Sequence, residues 1–103
     1  MNAWTWYESN KSEYRLKNTN GELISYLIRN YNDEWSCIFY NDDCNLKHTM
    51  TFQDINSPEE AIWQATLWIY KTCNHIANSL HNIRDHMPSI HKLAEEARKT
   101  RNE

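Results

Sequence analysis

Three cysteines and five histidines are the residues of this chain whose chemistry is most easily named. Cys37, Cys44 and His48 fall close enough along the chain to meet across one hairpin, with Cys73 or His75 as a fourth ligand. Thiolate and imidazole together suit zinc. The set lacks the short Cys-x2-Cys knuckle that makes zinc spacing specific, so Cys37 and Cys73 read more simply as inward-facing apolar residues and no metal or other cofactor is expected. A Cys–His nucleophile pair can be drawn between Cys73 and His75, but residues two apart on a helix face different ways. Nothing nearby supplies an oxyanion site or a third orienting group. His75, His81, His86 and His91 are not spaced at i and i+4 as a ligand pair would be, and they decorate a polar face. Glu59 and Glu60 are accounted for as helix-start residues. No enzyme is therefore expected.

The aromatic residues are the second chemical resource. Five tryptophans, six tyrosines and two phenylalanines in 103 residues exclude a disordered chain. Trp4, Trp6, Tyr7 and Tyr14 near Lys11, Arg15 and Lys17 suggest a base-stacking platform. A net charge of −3 without any dense basic cluster argues against nucleic acid as the partner. Protein interfaces favour the same aromatic residues. Trp63, Trp68, Tyr70, Trp4 and Trp6 are the residues expected at such an interface.

These side chains need elements to hold them. The first half alternates with a period of two over Ala3–Glu8, Glu13–Lys17, Glu22–Tyr31, Trp35–Tyr40 and Leu46–Phe52. Asn20-Gly21 is a hairpin signal and gives the single glycine a purpose, since a primed turn needs positive φ. The segment after it is apolar on both faces, which predicts a strand that is central or covered on both sides. Asp33-Glu34 and Asp42-Asp43 read as hairpin tips. An antiparallel β-meander of three to five strands over 3–52 results.

The second half changes period. Ser57-Pro58-Glu59-Glu60 is a helix start with cap, first-turn proline and capping-box glutamate in agreement. From there Ile62, Ile69, Ile76, Ile83 and Ile90 recur in heptads, accompanied by Thr66, Cys73, Leu80, Met87 and Ala94. A long amphipathic helix over 57–87 is expected, stopped by Pro88, with a short C-terminal helix over 89–100 carrying Ile90, Leu93, Ala94 and Ala97. Such a helix runs about 45 Å against about 20 Å for a strand. It must project beyond the sheet or break near Thr72–Asn78. Ile69, Ile76, Leu80, Ile83 and Met87 are expected to form a seam against a second copy, making a homodimer, or against the returning C-terminal helix.

The reading is one α+β domain over 1–103. The layout, a small antiparallel sheet followed by Ser-Pro-Glu-Glu and a helix, loosely resembles phage accessory proteins, among them inhibitors of host defence systems such as anti-CRISPR proteins. That resemblance implies a non-enzymatic protein-binding inhibitor that occludes a host protein or protein complex, with acidic turns steering it. A homodimer that sequesters a nucleotide or another small signalling molecule is the alternative. Met1–Glu13 lacks the basic start and apolar run of a signal peptide, and no apolar stretch reaches the roughly 18–20 residues of a membrane span. The cytoplasm is the expected location, with no membrane partner.

Overall fold

A computed structural model describes residues 3–41, 46–75 and 81–101. Five strands, β1 (Thr5–Asn10), β2 (Glu13–Lys17), β3 (Leu23–Arg29), β4 (Trp35–Asn41) and β5 (Leu46–Phe52), precede three helices, α1 (Pro58–His75), α2 (His81–Asp85) and α3 (Ile90–Arg101). The strands form one antiparallel sheet in the order β1-β2-β3-β4-β5. The expected α+β meander is present, with all five strands.

Two of its hairpins use the same loop. Asn18-Thr19-Asn20-Gly21-Glu22 joins β2 to β3, and Asn30-Tyr31-Asn32-Asp33-Glu34 joins β3 to β4. In each, the first asparagine's Oδ1 accepts from the amides two and four residues on: Asn20 and Glu22 at 3.0 Å, Asn32 at 2.8 Å and Glu34 at 3.1 Å. Its amide donates to the glutamate carbonyl, and its carbonyl accepts from the fourth residue's amide. That fourth residue is left-handed: Gly21 at φ 82° and Asp33 at φ 61°. The pattern is a type I turn closed by a bulge residue. The glycine's purpose is thus as expected, but the two-residue primed turn is not, because Asn20 does not take positive φ.

Cross-strand register sorts the strands' side chains into two faces. One face carries the row Trp6, Leu16, Ser25, Phe39, His48 and the row Tyr14, Leu27, Cys37, Met50. Leu16, Ser25, Leu27, Cys37 and Phe39 on it are fully buried. Ala61, Ala65, Ile69 and Cys73 of α1 complete this core together with Trp4, Ile24, Trp35 and Ile83. Ser25 is the polar member; its hydroxyl donates to the Ile38 carbonyl at 2.8 Å.

Helix α1 starts where expected. Ser57 Oγ accepts from the Glu60 amide at 3.2 Å, and Glu60 Oε2 accepts from the Asn56 amide at 3.4 Å, one residue ahead of the cap. The stretch over 57–87 is two elements, with α1 ending at His75: of the two outcomes its length allowed, projection or a break near Thr72–Asn78, the break is the one seen. Arg84 Nη1 donates to Asn74 Oδ1 at 2.8 Å. Ten residues of straight helix would hold those two apart by about 15 Å, so α2 has folded back along α1. The Trp4 amide donates to the His86 carbonyl at 3.0 Å, which ties the return to the start of the sheet. Helix α3, capped by Ser89, then packs along α1 and buries Ala97. No helix among the described residues is long and apolar enough to cross a membrane.

Candidate binding surface

The three helices among the described residues lie on one side of the sheet, and none of them covers the other side. Strand alternation puts Tyr7, Arg15, Tyr26, Ile38 and Thr49 in one row across all five strands of that open face. Glu13, Ile28, Ser36 and Thr51 form the next row, and Tyr40 stands opposite Lys47. Lys17 is on the same face beside Arg15. None of these side chains is buried. Tyr7 is 50% exposed, and Tyr26, Ile28, Ile38 and Tyr40 are half-buried by their neighbours alone.

The centre of this face is organised. The Tyr26 and Tyr40 ring centroids are 6.1 Å apart, tilted by 34°. The Arg15 guanidinium sits 5.4 Å over the Tyr26 ring, and its Nε donates to Glu13 Oε2 at 2.8 Å. The Ser36 and Thr51 hydroxyls are 3.2 Å apart. Lys17 and Lys47 form no ion pair among the described residues. The result is an aromatic and aliphatic centre with cations at its border, the composition of an interface core and rim.

The residues singled out from the sequence are placed elsewhere. Trp4 is a core residue, 7% exposed. Trp6 is half-buried, its Nε1 donating to Thr66 Oγ1 at 2.8 Å. Trp68 meets Phe39 edge-on with centroids 6.5 Å apart. Trp63 and Tyr70 are half-buried on α1, with the Trp63 Nε1 buried and lacking a hydrogen-bond partner among the described residues. Trp4, Trp6 and Trp68 belong to the layer between sheet and helices, so the five do not form one exposed patch. The seam is also reassigned in part. Ile69 and Ile83 lie inside the core, and the partly buried Met87 packs against it. Ile76 and Leu80 fall outside the described residues. Of the two partners considered for the seam, the C-terminal helix is the one seen along α1.

The thiols carry no reactive arrangement. Burial pushes the Cys37 thiol up to about 12 against a lowering by the Ser25 hydrogen bond, and burial pushes Cys73 up to about 11 against a lowering by Arg84. Both are free and buried, hence neutral and shielded at physiological pH. Cys44 lies outside the described residues. Among the described residues no three His, Cys, Asp or Glu side chains are grouped to hold a metal ion. Burial also raises the Tyr14 phenol, helped by the carboxylates of Glu8 and Glu59.

The open-face residues Tyr26, Ile28, Ile38 and Tyr40 were detectable as the second apolar face of β3 and β4. For β3 such a pattern predicts a strand that is central or covered on both sides, and β3 is the central strand of the five. The fold is thus a two-layer α+β sheet with one bare face. Compared with known protein families, with curated proteins and with solved structures, the chain finds no match.

Proposed function

We propose that the chain is a non-enzymatic binding module that docks a protein partner on the open face of its sheet. The observation that carries this reading is the centre of that face: Tyr26, Ile28, Ile38 and Tyr40 stand together on a surface that none of the described helices covers. Large side chains so placed supply most of the energy of a protein interface. Lys17 and Lys47 at the border favour an acidic partner surface, the reverse of the steering expected from the acidic turns. Steric occlusion of a larger complex, such as a host defence complex in the case of a phage protein, is the form of activity that the layout of the sequence suggests.

The test is co-purification from the source cells of a stoichiometric complex, compared across two variants. Ile38→Asp/Tyr40→Asp places two charges at the centre of the open face and is expected to abolish the complex while the circular dichroism spectrum stays unchanged. Tyr70→Ala on α1 is expected to keep it. Retention by the first and loss by the second would refute the assignment and return the interface to the helical side. Mass in solution by light scattering separates a foreign partner from a second copy.

A further inference from the structure

A groove of about 510 Å³ runs between the start of the sheet and α3, on the side opposite the open face. It is lined by the half-buried Trp6, by the edge of the nearly buried Trp4, by Ile62 of α1 and Leu93 of α3, and by Lys92 and Glu96. The volume falls within the roughly 300–1,000 Å³ of small-molecule sites, and an apolar lining with a few polar groups is their usual composition. Three bonds fix the walls in place. The Trp6 Nε1 is held by Thr66, whose own hydroxyl donates to the Ile62 carbonyl at 2.7 Å. The Trp4 backbone is held by the His86 carbonyl. Indole rings positioned in advance lose little freedom when a flat ring joins them.

The charges at the rim are not equivalent. Glu96 already has an interaction of its own. The Lys92 ammonium has neither an ion pair nor a hydrogen bond among the described residues, and Lys92 is exposed. The groove therefore offers an aromatic wall and one uncommitted cation. We propose that it binds a small molecule made of a planar aromatic ring bearing one acidic group, the ring against Trp6 and the acid at Lys92. This site is separate from the open face, and either can fail without the other.

A nucleoside monophosphate and an aromatic carboxylate share that chemistry, and adenosine monophosphate and indole-3-acetate serve as probes of the two. Titration of the whole chain is followed by tryptophan fluorescence and checked by calorimetry. Saturable binding of either probe is expected, and which one binds names the acid. Lys92→Glu is expected to weaken it about tenfold, the scale of one charge-assisted hydrogen bond. Lys99→Glu, an exposed lysine of the same helix outside the groove, is expected to leave it within twofold. Leu93→Trp fills the groove and is expected to abolish binding; if that variant misfolds, the Lys92/Lys99 pair decides alone. Absence of saturable binding by both probes at millimolar concentration overturns the proposal. So does binding that Lys92→Glu leaves unchanged.

Discussion

Thr66 is the place where the sheet's first strand is fastened to α1, and removing its hydroxyl measures that fastening. Thr66 is fully buried; its hydroxyl donates to the Ile62 carbonyl and accepts from Trp6 Nε1 at 2.8 Å. Thr66→Val keeps the shape and deletes both bonds. The Ile62 carbonyl lies within α1 and retains the helix's own amide, so its loss is small. The indole N–H is left without an acceptor in a half-buried position, which costs about 1–3 kcal/mol. The added methyl returns up to about 0.8 kcal/mol. A net loss of about 1.5 kcal/mol follows, and at about 4–8 °C per kcal/mol the melting temperature falls by about 6–12 °C. Urea denaturation followed by far-ultraviolet circular dichroism reads it. Trp6→Phe, which removes the donor, completes a double-mutant cycle. Its penalty is expected to shrink by about 1 kcal/mol in the Thr66→Val background, because the bond is already gone. A coupling below about 0.3 kcal/mol together with an unchanged midpoint for Thr66→Val would refute the reasoning.

Three further outcomes are expected. Ile69→Ala, a fully buried position between sheet and helix, costs about 2–5 kcal/mol by urea denaturation, with a midpoint that does not depend on protein concentration if the residue is internal and not a dimer contact. Gly21→Ala places a side chain at φ 82° with open space around it, so strain alone lowers stability by about 1 kcal/mol; Asp33→Gly at the twin position relieves the same strain and raises the thermal midpoint or leaves it unchanged. The cysteines set an alkaline limit. Their folded values are raised to about 12 and about 11, above an ordinary value of 9.0, so their contribution is intact below pH 9 and is lost progressively as pH rises toward those folded values. Cys37→Ala flattens that slope, and mass spectrometry after iodoacetamide at pH 8 finds Cys37 and Cys73 unlabelled until denaturant is added.

The sheet was legible because its strands alternate and its turns are rich in asparagine and aspartate. The helix start at Ser57 was legible because cap, proline and glutamate agree. The helix's length against the sheet's showed that it must project or break near Thr72–Asn78, but the direction of the return was harder to read. The isoleucine heptads continue straight through the break, and what turns α2 back is tertiary: the Arg84–Asn74 and Trp4–His86 bonds join residues whose spacing along the chain carries no periodic signal. The twin loops were open to discovery, since Asn-x-Asn-Gly-Glu and Asn-x-Asn-Asp-Glu repeat as written. The candidate surface was missed for a different reason. Periodicity tells which side chains share a face of a strand, but not which face the helices take. The face with Leu16, Leu27, Cys37 and Phe39 meets Ala61 and Ala65 of α1, and it carries Trp6 and Tyr14 as well, so the bulk of the side chains does not by itself tell the two faces apart.

The purely sequential order of the strands bears on how the chain reaches this fold. Each strand pairs only with the strand before and after it, so every hairpin closes over a short loop, and short loops cost little entropy to close. Two of those loops are fixed by their own asparagines before any distant residue is needed. Sheet formation should therefore be local and early, with α1 and α3 arriving on a preformed surface. The late step is the clasp across the chain, where Trp6 meets Thr66 and Trp4 meets His86. During synthesis the sheet emerges from the ribosome ahead of α1 and α3, so Leu16, Leu27 and Phe39 spend that interval in water, and the speed of helix docking governs how long the nascent chain is open to aggregation.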